Sequence, residues 1–285
     1  MKASDLMEQS TPPIAIGGVG GSGTRLIAQC LKELGFFMGR DLNEANDNLW
    51  FTLLFKRIEV LSSSEEQFDE LTTIMHKGMT GSEAFTPEQI DLINQLASTD
   101  REQHPAAWLK QRMHSLLSEK HPVAQNTRWG WKEPNTHIVV DRLKKRLKSM
   151  KYIHVVRNGL DMAHSSNQNQ LKLWGRNFIG EDCNISPYYS LKYWCIVHRR
   201  VLEIGATMGI DFLFLNYDDF CLNPQNGIAK LYEFLGLDAV KTPHPDLLGL
   251  VRPPSSIGRF KQHGTHIFDK ADVAYVKALG FDTGI

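Results

Sequence analysis

The sequence lacks several features that mark common protein classes. Its 285 residues include only four cysteines, with no Cys-x-x-Cys pair and no histidines at zinc-ligand spacing. Such scattered thiols argue against a disulfide framework and against a zinc site. The 32 basic and 32 acidic residues cancel, so the net charge gives no reason to expect a nucleic acid or another polyanion as a partner.

Long apolar runs are also missing. No stretch approaches the ~20 apolar residues of a membrane span, and residues 1–13 are polar without the apolar centre of a signal peptide. We therefore expect a cytoplasmic protein with no membrane span. The hydrophobic content of 42% suffices for one large core, so a single domain over residues 1–285 is predicted.

The most distinctive stretch is rich in glycine. An apolar run from Ile14 to Ile16 precedes five glycines in seven positions, and an apolar pattern at helical spacing follows. This order predicts a strand, a tight loop and a helix. The backbone N–H groups of such a loop and the positive N-terminus of the helix hold an anion well. The candidate anion-binding residues are Gly20, Gly21, Ser22, Gly23, Thr24 and Arg25.

The loop does not contain the lysine of the nucleotide-triphosphatase pattern Gly-x-x-x-x-Gly-Lys-Ser/Thr. Gly23, at the position of the glycine before that lysine, is followed by Thr24. Three glycines of the loop fit the dinucleotide pattern Gly-x-Gly-x-x-Gly, but its acidic ribose partner is only loosely met by Asp41 or Glu44. A nucleotide kinase or another phosphotransferase remains an alternative interpretation.

Two patterns follow each other along the rest of the chain. From about residue 45 to 120 only helical patterns occur, with helix starts predicted at Ser64 and Thr86, which indicates a helical insertion after the first strand–helix unit. Strand-like runs then alternate with helical patterns, at residues 128–133, 152–157 and 212–217. This alternation predicts an α/β fold around a mainly parallel sheet.

A second group of polar residues follows one of these strand-like runs. Arg157, Asp161 and Ser165 recur at four-residue intervals, so Asp161 and Ser165 are predicted on one face of the next helix. Because ligands lie beyond the carboxyl ends of parallel strands, Arg157 is expected at the same edge as the glycine loop. An arginine and a hydroxyl there suit a second phosphate group. The alternative is an arginine paired with a helix-start aspartate that only stabilises the fold.

Together these residues resemble the sulfotransferases that use 3′-phosphoadenosine 5′-phosphosulfate (PAPS), in the style of tyrosylprotein and heparan sulfotransferases and their bacterial relatives. Residues 18–25 look like the 5′-phosphosulfate loop of that family, and Arg157 with Ser165 looks like its 3′-phosphate motif. Arg259 and Lys261 lie in a stretch, at about residues 250–270, that resembles the loop covering the cofactor. The resemblance implies a three-layer, P-loop-like domain with PAPS as co-substrate and no required metal.

The resemblance also implies two catalytic roles. Residues 131–134, Trp-Lys-Glu-Pro, are similar to a Lys-x-Pro segment of the family, which implies that Lys132 is catalytic. Glu44 takes the place of the glutamate that removes the acceptor proton, with His137 and Glu133 as further candidates.

The acceptor is only broadly implied. It is a hydroxyl, or an amine, of a small molecule, a carbohydrate or a tyrosyl group, and the insertion at 45–120 is expected to form its side of the site. Trp50, Phe51 and Trp108 could stack on a ring of the acceptor or belong to the core. Gly21 stands where the family often has a lysine. A catalytically inactive, nucleotide-binding homologue therefore stays an alternative.

Overall fold

The computed structural model describes residues 12–118, 122–124, 127–238 and 246–284. The polar N-terminal residues 1–11 and the last two residues of the predicted insertion, 119 and 120, lie outside these ranges. The strands are β1 (Ile14–Gly18), β2 (Gly130–Lys132), β3 (Lys151–Val156) and β4 (Phe212–Asn216), and they form one sheet in the order β2-β1-β3-β4.

The sheet is parallel, as the alternation of strands and helices predicts. β3 pairs with β4 in parallel, with Tyr152 opposite Phe212 and Val156 opposite Asn216. β3 is mostly apolar and is buried at every residue except Lys151, which is typical of a parallel strand covered on both faces. The predicted α/β class is therefore confirmed.

Helices make up most of the remaining described chain. None of those in the described ranges combines the length and the apolarity that crossing a bilayer requires. Short 3₁₀ helices lie at Ile58–Leu61, Pro134–Ile138, Gly209–Asp211 and Arg259–Gln262. The α-helices are α1 (Thr24–Glu33), α2 (Leu49–Phe55), α3 (Glu65–Thr80), α4 (Pro87–Ser98), α5 (Ala106–Leu117), α6 (Val140–Arg146), α7 (Gly159–Ala163), α8 (Asn169–Phe178), α9 (Pro187–Met208), α10 (Tyr217–Leu222), α11 (Pro224–Leu235), α12 (Leu247–Leu250) and α13 (Lys270–Ala278).

Residue contacts divide the chain into two compact units, of which the first contains Met1–Ala15 and Gly35–Lys151. Within it, α2 to α5 lie in the region predicted as a helical insertion. Ser64 caps α3 and Thr86 caps α4, each through a capping box with a glutamine three residues further on. The helix starts predicted from the sequence at these two residues are confirmed.

The second unit contains Ile16–Leu34 and Tyr152–Ile285. One core cluster in this unit includes Leu160 of α7, Trp194 of α9 and Phe260 of the C-terminal stretch. The chain around residue 260 is therefore anchored in the core of the unit that also contains the glycine loop.

Candidate active site

A glycine loop joins β1 to α1, as the sequence predicts. Gly21 and Gly23 have φ angles of 93° and 96°, in the left-handed region that favours glycine. A Cβ atom at Gly23 would lie 2.2 Å from the Tyr217 ring, and one at Gly18 would lie 2.5 Å from the carbonyl oxygen of Val155. The loop therefore requires glycine both for its backbone conformation and for its close packing.

Ser22 places a buried hydroxyl in this loop. The residue is 1% exposed, and its Oγ has no hydrogen-bond partner in the described part of the chain. An unpaired buried hydroxyl costs about 1–3 kcal/mol, so such groups are usually satisfied by a protein atom, a water or a ligand. α1 begins at Thr24, Gly23 gives it no side-chain cap, and Arg25 is exposed in its first turn. An anion at this loop would meet uncapped N–H donors together with the hydroxyl.

Residues that follow α7 lie over the glycine loop. Ser165 Oγ lies 4.0 Å from the position that a Cβ would take on Gly21. Gln170 Nε2 donates a hydrogen bond of 3.0 Å to the carbonyl oxygen of Gly18. The structure thus brings the hydroxyl predicted for the second phosphate next to the loop predicted for the first.

The prediction that Ser165 and Asp161 share a helix face is wrong. α7 ends at Ala163, so Ser165 lies beyond the helix. Its N–H donates to the carbonyl oxygen of Met162 at 3.0 Å, in a tight turn that ends the helix. This turn directs the chain towards the glycine loop.

Arg157 directly follows β3 and is held by two partners. Its Nε lies 3.4 Å from a carboxylate oxygen of Asp218, and one Nη donates to the Ser256 hydroxyl at 2.6 Å. Asp218 also accepts the N–H of Asn158 at 3.0 Å. Burial raises the pKa of Asp218, and the Asn158 N–H and the Arg157 guanidinium oppose that rise. The ion pair of Arg157 therefore forms with Asp218, at the start of α10, and not with Asp161.

Asp161 instead binds the C-terminal stretch predicted to cover the cofactor. Its two carboxylate oxygens accept the backbone N–H groups of Gly258 at 2.8 Å and of Phe260 at 3.0 Å. The residue is 2% exposed. A buried carboxylate with both oxygens bound in this way fixes the path of the stretch.

The two basic residues predicted in that stretch differ in their surroundings. Arg259 donates to the carbonyl oxygen of His164 at 3.4 Å, beside Ser165 in the chain. Lys261 forms an exposed ion pair with Asp282 at 2.7 Å, and this hydrogen bond raises the pKa of Lys261. The structure therefore places Arg259 next to the residues over the glycine loop, whereas Lys261 is bound to a surface carboxylate.

In the first unit, Lys132 at the end of β2 is buried against a polar loop. Its side chain is only 2% exposed, and its Nζ donates to the carbonyl oxygen of Ala45 at 2.8 Å and pairs with the Asp47 carboxylate. The Asn43 side chain accepts the N–H groups of Ala45 and Asp47 at 2.9 and 2.8 Å, which closes the loop. Glu44 is exposed in this loop, next to a residue that binds Lys132. The structure thus places the Lys132 ammonium against the loop that contains Glu44.

Asp47 is a candidate that sequence reasoning missed. It lies three residues after Glu44 in a loop already singled out for its carboxylate. Local sequence does not say which of two neighbouring carboxylates turns towards a lysine from a distant strand. The signal that could have found it is the Asn43 side chain, because an asparagine that binds N–H groups two and four residues further on folds the loop back on itself.

The two further base candidates, Glu133 and His137, are both buried. The Glu133 carboxylate accepts the backbone and side-chain N–H groups of Asn135 at 2.5 and 2.9 Å, and it lies 3.7 Å from Lys56 Nζ. Burial raises the pKa of Glu133, and Lys56 opposes that rise. Glu133 thereby caps the 3₁₀ helix at Pro134–Ile138, in which His137 is fully buried. The fold therefore gives Glu133 a structural role, and it places the His137 side chain out of contact with solvent.

Two of the three aromatic residues suggested for the acceptor belong to the core of the first unit. Trp50 and Phe51 are each 1% exposed, and Trp50 Nε1 donates to the Ser115 hydroxyl at 3.1 Å. Trp108 is half-buried, with the Arg112 guanidinium 4.9 Å from its ring centre. Of the three, only Trp108 offers surface for an acceptor ring.

The chain matches a family model described as the sulfotransferase family over residues 12–241. The protein therefore belongs to the sulfotransferase family. The match includes the glycine loop, Lys132, Arg157 and Ser165, and it ends before the stretch that contains Arg259.

Solved structures similar to this chain carry the same description. The sulfotransferase domain from the Synechococcus PCC 7002 olefin synthase has 17% identity and a TM-score of 0.47, with 96% of each chain covered. The sulfotransferase domain from the curacin biosynthetic pathway has 12% identity and a TM-score of 0.48, with 96% of this chain and 99% of that chain covered. A sulfotransferase from Mycobacterium avium has 15% identity and a TM-score of 0.41, covering 90% of this chain and 68% of that chain. A comparison with curated proteins gives no match.

Proposed function

We propose that this sulfotransferase moves a sulfuryl group from PAPS to a hydroxyl, or to an amine, of a small-molecule, carbohydrate or tyrosyl acceptor. The observation that carries the proposal is the buried, unpartnered Ser22 hydroxyl in a glycine loop at an uncapped helix N-terminus. Ser165 lies over that loop, so two groups suited to phosphate oxygens occur together in the second unit. A nucleotide with a phosphosulfate and a 3′-phosphate needs two anion-binding groups. It does not need the lysine of the nucleotide-triphosphatase pattern.

The second unit is proposed to bind the nucleotide. The N–H groups of the loop and of the first turn of α1, with the Ser22 hydroxyl, suit the 5′-phosphosulfate. Arg157 and Ser165 suit the 3′-phosphate, and the Asp218 carboxylate orients the Arg157 guanidinium in advance. Arg259 adds a positive charge beside Ser165. When bound, PAPS supplies the sulfuryl group together with a nucleotide bisphosphate leaving group.

The first unit is proposed to supply the groups for transfer. The Lys132 ammonium, held by Asp47 and by the Ala45 carbonyl, would steady the negative charge that develops on the departing phosphate oxygen. Glu44 would take the acceptor proton. Asp47 is proposed as a positioning residue that holds the Lys132 ammonium in one direction.

Calorimetric titration with adenosine 3′,5′-bisphosphate tests this function. The wild-type protein is expected to bind the bisphosphate without Mg²⁺ and to bind neither ATP with Mg²⁺ nor NADH comparably. A preference for ATP with Mg²⁺ would overturn the proposal in favour of a nucleotide kinase. Bisphosphate binding without turnover over a broad acceptor panel would identify an inactive homologue.

The same titration with the variant Arg157→Ala tests the assignment of Arg157 to the 3′-phosphate. Loss of a charge-assisted hydrogen bond of ~1.5–3 kcal/mol predicts bisphosphate binding weaker by about ten- to a hundred-fold. Arg157→Lys is the control, because it keeps a positive charge beside Asp218 while removing the planar fork. We expect it to retain folding but to bind the bisphosphate more weakly than the wild type. Unchanged affinity in Arg157→Ala would contradict the assignment of the 3′-phosphate site.

Glu44→Gln is expected to lower kcat about a hundred-fold or more while leaving bisphosphate affinity unchanged, because an amide cannot take the acceptor proton. Turnover is measured at saturating donor with an acceptor that the wild type uses. Asp47→Asn is the comparison, since it removes the second carboxylate of the same loop. Wild-type kcat in Glu44→Gln would remove Glu44 from the role of base, whereas a loss in Asp47→Asn is expected in any case because Asp47 holds Lys132.

A further inference from the structure

The stretch at residues 256–263, named here the covering segment, is tied to the second unit by Asp161. The Asp161 carboxylate accepts the N–H of Gly258 through Oδ2 and the N–H of Phe260 through Oδ1, at 2.8 and 3.0 Å. Asp161 and Phe260 are each 2% exposed. Loss of the carboxylate would therefore leave two donors of one segment without an acceptor.

The covering segment has a conformation that needs this acceptor. Gly258 has a φ of 78° and stands at the N-cap of the 3₁₀ helix Arg259–Gln262, without a side chain to cap it. The first N–H groups of a helix have no acceptor within the helix, and a left-handed residue before them turns neighbouring N–H groups towards one point. Asp161 supplies from α7 the cap that the segment itself lacks.

Residues at both ends of α7 hold the segment at further points. Before the helix, Arg157 donates to the Ser256 hydroxyl at 2.6 Å. After it, the His164 ring stacks on the His263 ring with centres 4.1 Å apart, and the His164 carbonyl accepts from Arg259. The covering segment is thereby aligned along α7 with the Arg259 side chain directed to the turn that leads to the glycine loop.

We propose that Asp161 is a positioning residue for nucleotide binding, which holds the covering segment so that Arg259 can reach a phosphate group. The inference rests on the proposed function, because it takes a nucleotide bisphosphate as the ligand. Asp161 would not contact that ligand itself, since both its oxygens are bound to backbone N–H groups and a carboxylate repels a phosphate. Its loss should therefore raise the KM for the donor more than it lowers kcat.

The variant Asp161→Asn tests this role, with Asp272→Asn as the matched control. Asp272 is a second buried aspartate of the same unit, on α13, and its carboxylate lies near Lys192 and Arg199 rather than the covering segment. Both substitutions remove one buried charge, so the control corrects for a general loss of stability. Thermal unfolding of both variants is recorded first, so that only folded protein is compared.

Two readouts are then compared between the variants. We expect Asp161→Asn to bind adenosine 3′,5′-bisphosphate about tenfold more weakly than Asp272→Asn, the effect expected when Arg259 loses a charge-assisted hydrogen bond to the phosphate. We also expect faster cleavage by trypsin after Arg259 and Lys261, whereas Arg252 precedes a proline and resists trypsin in both. Equal cleavage rates in the two variants would show that Asp161 does not tie the segment and would overturn the proposal.

The outcomes distinguish two claims, that Asp161 holds the covering segment and that the protein binds the nucleotide. Faster cleavage without any effect on bisphosphate affinity would overturn the positioning role, although it would still show that Asp161 holds the covering segment in place. A wild-type protein that binds no bisphosphate would overturn the proposed function and, with it, the role of Asp161 in nucleotide binding. The cleavage rates would still show whether Asp161 holds the covering segment. If Asp161→Asn does not fold, hydrogen exchange of the wild type decides whether Asp161 holds the segment. The Gly258 and Phe260 amides should exchange much more slowly than the amide of the exposed Ser255, and equal exchange rates would overturn the proposal.

Discussion

Replacing Lys132 with methionine is expected to lower kcat for sulfuryl transfer by about 10²–10³-fold, the usual effect of removing one group that stabilises developing charge. Methionine is of similar length and fills the buried space left by the lysine stem, but it carries no charge. Affinity for adenosine 3′,5′-bisphosphate should fall as well, because the departing oxygen that Lys132 is proposed to steady belongs to the 5′-phosphate of this nucleotide. The measurement is kcat at saturating donor, with titration calorimetry for the bisphosphate.

The ion pair of Lys132 makes a control necessary. Lys132 is 2% exposed and its partner Asp47 is 21% exposed, so removing the lysine leaves a partly buried carboxylate without its counter-charge. Breaking a buried pair costs up to ~3–5 kcal/mol, and the exposure of Asp47 should keep the loss below that range. The double variant Lys132→Met/Asp47→Asn removes both charges and should recover most of the lost stability. We expect it to remain inactive, which would separate the catalytic role from the structural one.

The result that contradicts this assignment is equally specific. A double variant that regains activity together with stability would show that Lys132 only holds the loop at residues 43–48. A single variant with kcat within a few-fold of the wild type would remove Lys132 from the transfer step. In that case the positive charge missing at Gly21 would have to come from another residue.

Short-range features were the ones that the sequence could predict. The glycine loop, the helix that follows it and the capping boxes at Ser64 and Thr86 all depend on residues within a few positions of each other. Backbone conformation and capping hydrogen bonds of this kind are local consequences of residue type. The four-residue spacing of Asp161 and Ser165 was also local, but it misled, because α7 ends between them at Ala163.

Pairings between distant residues could not be predicted in the same way. Asp47 and Lys132 are 85 positions apart, and Asp161 and Phe260 are 99 apart. Which carboxylate meets which partner depends on how strands and loops come together within each unit, and one sequence contains no signal for that. The partner of Arg157 shows the same limit, because two aspartates in helix starts were available and only the fold selects Asp218.

Burial was the other property that local sequence left open. Glu133 is a candidate base because it is a carboxylate next to the predicted catalytic lysine in the sequence. In the structure, however, this carboxylate is buried and caps a 3₁₀ helix. Trp50 and Phe51 are aromatic residues that a site or a core would use equally well. Only the packing of α2 against its neighbours places both in the core.

Gly23→Ala is expected to destabilise the protein strongly and to abolish bisphosphate binding. The substitution forces an alanine into a φ of 96° and places its Cβ 2.2 Å from the Tyr217 ring. The left-handed conformation costs ~1–2 kcal/mol for a residue with a Cβ, and overpacking adds ~1–3 kcal/mol. Movement of the Tyr217 ring would also disturb the start of α10, where Asp218 holds Arg157. The free energy of unfolding, measured by urea denaturation, should fall by ~2–5 kcal/mol.

Variants of two neighbouring glycines distinguish the cost of the left-handed conformation from the cost of packing against Tyr217. Gly21 has a φ of 93°, but a Cβ there would lie no closer than 4.0 Å to its nearest neighbour, so Gly21→Ala should show the conformational cost alone. Gly20 has no positive φ, and its Cβ would stand 3.5 Å from Asn167, an ordinary contact, so Gly20→Ala should change stability least. The loss of stability is expected to increase from Gly20→Ala to Gly21→Ala and to be largest in Gly23→Ala. Equal losses at Gly21 and Gly23 would mean that the Tyr217 ring moves aside at no cost, and the loop would then be fixed by its backbone conformation and not by its packing.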